Sequence, residues 1–574
     1  MTNLLRVGNC SGFYGDRLSA MREMLDGGDL DVLTGDYLAE LTMLILGRDR
    51  MRDTELGYAR TFVRQLEDSL GTALERGVRI VSNAGGLNPR GCADAVREVA
   101  RGLGLDVTVA VVEGDDLTER SEELGLGKVL AANAYLGAFG IAEACRSGAD
   151  VVITGRVTDA SVVVGPAIDR FGWGTTDYDQ IAGAMAAGHI IECGTQATGG
   201  NFAFFNRTDG WLDDLARPGF PIAEIHDDGS FVVTKHDGTG GFVTVDTVLS
   251  QLLYEVQGAR YAGPDAVLRL DSLRLEQEGP DRVLVSGAEG EAPPPQLKVS
   301  CTSLGGFRNE LTFVLTGLDI DDKAAFVRRQ VEDALAVRPA ELDWTLSRTD
   351  HEDPDTQERA AARLTLVARD PDEKTVGRAL SGAAVEMALA TYPGCFLTAP
   401  PSGGTAYGVF QPGYVDQGVP RHIAVLDDGS TVRIPAPPQT QPLEPTTDDA
   451  PVFPEDFGDT VRRPLGTIAG ARSGDKGGNA NVGVWVHSQD EFRWLDSFLT
   501  VEKLQELLPE TAPLRVERTR LPNLRAINFV VEGLLGEGVA YAARFDAQAK
   551  ALGEWLRARV VDLPTRFDQE GTNR

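Results

Sequence analysis

Val151-Val152-Ile153-Thr154-Gly155-Arg156-Val157-Thr158-Asp159-Ala160-Ser161 reads as a strand that ends in a polar turn. Residues 149–154 are small and β-branched, with no charge after Asp150, which predicts a short strand buried on both faces. Gly155 breaks it, and Arg156, Thr158, Asp159 and Ser161 follow ahead of an apolar helix. In open α/β sheets, ligands bind beyond the carboxyl ends of the strands. A cation, a carboxylate and two hydroxyls placed there suit a polar substrate head. The same residues also allow a structural reading, with Thr158 or Asp159 capping the helix and Arg156 pairing with a carboxylate. Similar turns elsewhere in the chain favour function.

Outward from this stretch, the first two hundred residues alternate short apolar strands with amphipathic helices. Strands at 4–7, 31–34, 78–82 and 106–112 open into polar turns, among them Gly8-Asn9-Cys10-Ser11-Gly12 and Asn83-Ala84-Gly85-Gly86-Leu87-Asn88. This predicts an α/β fold with a mostly parallel, Rossmann-like sheet, followed by α+β ferredoxin-like regions. The pattern changes after Phe202. Residues 226–246 read as hairpins, and 311–392 give the order β-α-β-β-α of a ferredoxin-like sandwich. The expected domains are 1–205, an α+β continuation over 206–435, a Pro- and acid-rich linker over 436–460, and a small α+β domain over 461–563.

The 574 residues exceed one ordinary core. The net charge of −31 disfavours nucleic acid and anionic membrane surfaces as partners. An anionic ligand would then need a local basic or dipolar pocket. No apolar run reaches the length of a membrane span, and the N-terminus lacks a basic stretch followed by an apolar one, so a cytoplasmic protein is expected. The six cysteines are far apart with no CxxC pair, so reduced thiols are the default.

Three groups of residues could carry chemistry. The strand-end turns supply Asn9, Ser11, Gly12, Asn83, Gly85, Gly86, Asn88, Arg156, Gly199 and Gly200 for substrate binding, with Asp159 as a proton carrier. Backbone N–H groups of Asn83-Ala84-Gly85-Gly86 are placed to polarise a carbonyl. His189, Glu192 and Cys193 fall on one helical face at i, i+3 and i+4. The His–Glu pair suits acid–base work near neutral pH, a hydrogen-bonded structural role, or the start of a metal site. HExxH is absent and no second histidine lies nearby, so no metal site is expected. Arg472-Ser473-Gly474-Asp475-Lys476-Gly477-Gly478-Asn479-Ala480-Asn481 is the densest polar loop of the chain. Turn-building explains its glycines and asparagines but not Arg472, Asp475 and Lys476 together. They favour a phosphate or carboxylate contact, with Ser473, Asn479 and Asn481 beside it.

The stretches NAGGLNPRG, ITGRVTDAS, GHIIECGTQATGG and ARSGDKGGNANVGV resemble the acyclic terpene utilisation (AtuA-like) family. The resemblance covers about 4–414 and a ferredoxin-like tail over 461–563. It implies acyl-CoA catabolism of branched isoprenoid acids, beside biotin-dependent acyl-CoA carboxylases and enoyl-CoA hydratases. It carries over no catalytic residues.

The expectation is an enzyme, a lyase or hydratase acting on a small acyl-CoA or carboxylate, in a homo-oligomer. Arg156 with Lys476 or Arg472 holds the anionic head, while Asp159, Asp475 or the His189/Glu192 pair moves a proton. No cofactor is assigned. Two alternatives stand beside it: a non-catalytic partner subunit of an acyl-CoA carboxylase, and an ATP-using phosphotransferase. The absence of a GxxxxGK[ST] loop counts against the last.

Overall fold

The computed structural model describes residues 4–207, 210–444 and 456–568. The chain divides into two compact units. The first comprises Met1–Thr302, Phe410–Val539 and Gln548–Arg574, and the second Ser303–Val409 with Ala540–Ala547.

An eleven-stranded sheet organises the first unit. Its centre is parallel, in the spatial order Leu4–Asn9, Val32–Gly35, Arg79–Ser82, Val151–Thr154, Val109–Glu113. Alternate residues of these strands face opposite layers. Val152 packs with the helices Phe139–Arg146, Ser161–Phe171 and Tyr178–Ile191, while Val151 and Ile153 pack with Ala20–Gly27, Arg60–Arg76 and Pro89–Leu103. Each fully buried Val or Ile contributes about 1.5–3 kcal/mol. The strands therefore stay apolar until they leave the sheet, and polar chemistry begins at their carboxyl ends.

The flanks of this sheet are antiparallel. Pro221–His226 pairs with Leu4–Asn9, and Phe231–Lys235, Arg282–Ser286 and Arg274–Gly279 continue that edge. Ile423–Val425 and Thr431–Arg433 extend the opposite edge from Val109–Glu113. The expected mostly parallel sheet is thus a mixed one with a parallel centre. The cause is the hairpin segment after Phe202, whose strands add to an exposed edge without a crossover helix.

Tyr178–Ile191 is buried on every side from Ile181 onward. A Cβ on Gly188 would lie 2.7 Å from the Cα of Ala160, so glycine is what lets this helix reach the Asp159 turn.

The tail, apart from Ala540–Ala547, also belongs to the first unit. Its sheet runs Gly470–Lys476, Asn479–Trp485, Ala526–Val531, Val516–Leu521 in spatial order, all antiparallel, with the helices Gln489–Phe498, Val501–Leu507 and Leu552–Ala558. Residues 472–481, expected as a loop, form a β-hairpin instead. Lys476 pairs with Asn479 across the two-residue turn Gly477-Gly478, with Gly477 at φ 64°. Gly-Gly in such a turn accepts the backbone twist of a tight hairpin, so the polar residues around it become strand positions.

The second unit contains an antiparallel sheet in the order Glu341–Ser347, Ala361–Asp370, the part of Gln296–Thr316 from 303 onward, Phe396–Leu397, and the helices Ile320–Ala334 and Leu380–Glu386. That is the strand order of a ferredoxin-like sandwich, over a core that includes Phe313, Leu315, Val327 and Leu364. Residues 445–455 of the expected linker lie outside the described residues. No helix among the described residues is long and apolar enough to cross a membrane. All six cysteines are free.

Candidate functional site

The turn after Val151–Thr154 is where the site begins. Arg156 is 4% exposed; its backbone N–H donates to Asp115 Oδ2 at 2.8 Å, and its guanidinium donates to the Val157 carbonyl at 3.0 Å and to Asp159 Oδ1. The guanidinium carbon sits 4.2 Å from the centroid of the Tyr135 ring. Gly155 permits this packing, since a Cβ there would fall 2.3 Å from Asp115 Oδ1. Thr158 and Ser161 are hydrogen-bonded to each other at 2.5 Å and shape the start of the next helix.

Two carboxylates from other elements meet Asp159. One oxygen each of Asp36, Asp159 and Glu192 lie within 4.8 Å of one another. Asp36 follows the strand Val32–Gly35, and its Oδ1 accepts from Asn83 Nδ2 at 2.6 Å and from the Leu38 N–H at 3.1 Å. Glu192 closes the buried helix Tyr178–Ile191, and its Oε1 meets His189 Nδ1 at 3.1 Å. Asn9 pins this helix end by donating to the carbonyls of Ile191 and Glu192 at 2.7 and 3.0 Å. Such a group of hard oxygen donors could hold a divalent cation. Burial pushes Asp36 and Glu192 well above the ordinary carboxylate range, and the adjacent Asp159 adds to this in both.

His189 is 2% exposed, and burial together with Lys476 lowers it to about 4. It stands as a neutral ring against Tyr261, with centroids 4.8 Å apart, and it orients Glu192. Burial and Glu192 raise the Cys193 thiol, which disfavours a thiolate nucleophile there.

The tail hairpin forms a second wall. Arg472 donates to Gln196 Oε1 and to the Asn201 carbonyl, and its guanidinium lies 4.4 Å from the Tyr254 ring centroid. Gly474 backs onto the same ring, where a Cβ would meet Tyr254 Cε2 at 2.3 Å. Strand alternation puts Lys476 on this face too. Lys550 donates to the Tyr254 hydroxyl and lies 4.0 Å from Asp475. Burial and Glu255 push Asp475 up to about 6. Glu40, which opens the helix Glu40–Arg52, is pushed up to about 7 by burial against the pull of Lys298. Lys298 lies 4.8 Å from the Tyr135 ring centroid and 5.1 Å from that of Phe410. Lys476 acts on Glu40, His189, Glu192 and Asp475 at once, yet its side chain makes no hydrogen bond or ion pair among the described residues.

The structure thus gathers Arg156, Asp159, His189, Glu192, Arg472, Asp475 and Lys476, with Asn9 and Asn83 behind them. Other expected binders serve the fold. Asn88 caps the helix Pro89–Leu103 by accepting from the Gly91 N–H. Ser473 accepts from the Gly553 N–H, and Asn479 from the Gly533 N–H. Asn481 accepts from the Glu255 N–H at 2.8 Å and donates to the Val256 carbonyl, joining tail to main domain. Ser11 donates to the Phe13 carbonyl, and its own carbonyl accepts from the Asp36 N–H. Gly12 allows the chain to pass the Cys193 backbone, 2.7 Å from where a Cβ would be. Of the backbone donors expected to polarise a carbonyl, Ala84 N–H binds Ser82 Oγ and Gly86 N–H binds the Asn83 carbonyl. Gly199 and Gly200 form the turn after Gly194–Thr198, with Gly199 at φ 106°.

Residues 5–425 match the family model of the acyclic terpene utilisation family protein AtuA, and residues 463–562 that of the AtuA ferredoxin-like domain. The chain belongs to the AtuA family. Its family places it in acyclic terpene utilisation. No curated protein matches it. In this AtuA-family chain the two matched regions meet at the site: the main domain supplies the carboxylate group and Tyr254, and the ferredoxin-like domain supplies Arg472, Asp475 and Lys476.

Proposed function

We propose that this AtuA-family protein is an enzyme of acyl-CoA or carboxylic-acid catabolism that adds or removes water, or cleaves, beside an acyl carbonyl. One observation carries the reading. Lys298 and Lys476 stand within electrostatic reach of Glu40, and Lys550 and Lys476 within reach of Asp475, and the environments of these two carboxyls raise them to about 7 and about 6. Cations of this kind bind a carboxylate or thioester oxygen and stabilise the negative charge that develops on it. Two carboxyls with separated proton affinities supply an acid and a base at one pH.

For hydration, ionised Asp475 takes a proton from water as the water oxygen bonds to the β-carbon of an enoyl substrate. The electron pair of the double bond moves toward the carbonyl, where Lys476 and Lys298 stabilise it. Protonated Glu40 then delivers a proton to the α-carbon, giving a hydroxyacyl product. The proton role assigned to His189 moves to these carboxyls, because His189 is enclosed and its Nδ1 is committed to Glu192.

The test is turnover of branched enoyl-CoAs and the matching free acids by purified protein. Asp475→Asn is expected to lower kcat by about 10²–10⁴-fold, the range for loss of a general base. Lys476→Ala is expected to raise KM. If both variants match wild type on a substrate the protein turns over, the assignment is wrong. Stable capture of an acyl-CoA carboxylase by a protein with no turnover supports the partner-subunit reading instead.

A further inference from the structure

The carboxylates of Asp36, Asp159 and Glu192 come from three separate elements, which share no local reason to meet. Each commits one oxygen to the protein and leaves the other without a hydrogen bond among the described residues. Asp36 Oδ1 accepts from Asn83 and Leu38, Asp159 Oδ1 accepts from Arg156, and Glu192 Oε1 faces His189. The free oxygen of Glu192 is the sharpest observation. The residue is 8% exposed, and its Oε2 is buried without a partner. A buried carboxylate oxygen left unpaired is costly, and native proteins place a water, a proton or an ion against such an atom.

We propose that Asp36, Asp159 and Glu192 form a binding site for one hard divalent cation of the magnesium, manganese or calcium class. The donors are all carboxylate oxygens, which suit those ions and not soft ones. Oxygens bonded to one calcium ion at about 2.3–2.6 Å lie no more than about 5 Å apart, and these lie within 4.8 Å; a smaller ion such as magnesium would draw them closer, to about 4.2 Å or less. The charge also balances. Binding a cation displaces protons from its ligands, and the three carboxylates so ionised beside the Arg156 guanidinium leave two negative charges for a divalent cation to neutralise. Asn83, Arg156 and His189 fill the outer positions that orient ligating carboxylates in metal sites. Asp159 is the most exposed of the three and marks the side from which an ion and a substrate oxygen would enter.

The inference deepens the reading of this cavity as a reaction centre, because a cation there would draw on the same acyl oxygen as Lys476. Its test is independent of turnover. Chelator-treated protein is titrated with Mn²⁺ alone, and free Mn²⁺ is read by electron paramagnetic resonance. One saturable site per chain is expected, with Mg²⁺ or Ca²⁺ competing for it. Glu192→Gln and Asp159→Asn are each expected to weaken it at least tenfold, while Asp475→Asn leaves it in place. Circular dichroism and melting curves establish that the variants fold, and Mn²⁺ should raise the Tm of the wild type but not of the variants. Absence of saturable binding below about 1 mM, the weak end for such sites, overturns the proposal. So does binding that is equal in wild type and both folded variants. Failure here leaves acyl-CoA binding at Lys476 standing, whereas Mn²⁺ binding without any acyl-CoA turnover removes the enzymatic reading and keeps the site.

Discussion

Arg156 and Tyr135 form one buried stack, the guanidinium carbon 4.2 Å from the ring centroid. The same ring carries Lys298 at 4.8 Å. One aromatic ring therefore contacts two cations, of which Arg156 is paired with Asp159 and Lys298 is within its electrostatic reach. The stack is desolvated on the Arg156 side, where cation–π attraction is worth about 2 kcal/mol.

Tyr135→Phe keeps the ring and should stay within about 0.5 kcal/mol of wild type in urea unfolding. Tyr135→Leu removes the face and should cost about 2 kcal/mol or more, while raising KM for any anionic substrate. Equal losses in the two variants would locate the effect in the hydroxyl and sink the stacking argument.

Asn481 is the residue that ties the tail to the main domain. Fully buried itself, it receives the partly buried Glu255 N–H, donates to the Val256 carbonyl and bonds Asn528. Asn481→Leu strands the N–H of Glu255, and an unsatisfied buried donor costs about 1–3 kcal/mol. Asn479→Ala, two residues away, loses only the Gly533 N–H contact at the exposed hairpin turn and should cost about 0.5 kcal/mol. Urea melts of the two single variants decide it, and comparable losses would mean that Asn481 is not the tie.

These cases show what a reader of the sequence can and cannot reach. Asp159, His189 and Glu192 were legible because a strand-end turn and an i, i+3 helical spacing are local signals. Asp36 stood in plain view after Gly35, yet nothing local says that its carboxylate meets Glu192 across the fold. Glu40, Tyr135, Lys298 and Glu255 are invisible for the same reason: each joins the site through pairing or packing with distant chain. The parallel centre of the sheet followed from alternating strands and helices, but the docking of Pro221–His226 on Leu4–Asn9 is an edge choice that sequence periodicity does not encode. The hairpin at Gly477-Gly478 reads as a loop in the sequence because its strands carry polar residues. Arg472 and Asn481 are polar because they meet Tyr254, Gln196 and the Glu255 N–H.

Asp115 gives a pH prediction that does not involve the carboxylate triad. Burial pushes its carboxyl from 3.8 up to about 7, against the pull of the Arg156 N–H and Asn133. Between about pH 4 and 7 the folded protein holds a proton there that the unfolded chain has released. Stability from this group is therefore complete below pH 4, falls as pH rises through the window and levels off above it. Asp115→Asn cannot ionise, so its stability relative to wild type should climb across the same window, by on the order of 2–4 kcal/mol. Paired melting curves from pH 4 to 8 test this. A constant offset between the two proteins would show that Asp115 titrates normally.

Lys476 gives the last prediction, on rate rather than stability. If ionised Asp475 is the base and protonated Glu40 the acid, kcat/KM rises with pH through about 6 and falls through about 7. Lys476 holds both carboxyls down, because its charge favours their ionised forms. Lys476→Ala should therefore move both limbs of the profile to higher pH, in addition to raising KM. Lys476→Arg keeps the charge and should leave the limbs in place even where geometry costs rate. A merely structural lysine would lower the whole profile without displacing it, and that outcome would remove Lys476 from the proton-transfer machinery. Displacement of the rising limb alone would keep Asp475 as the base and send the search for the acid away from Glu40.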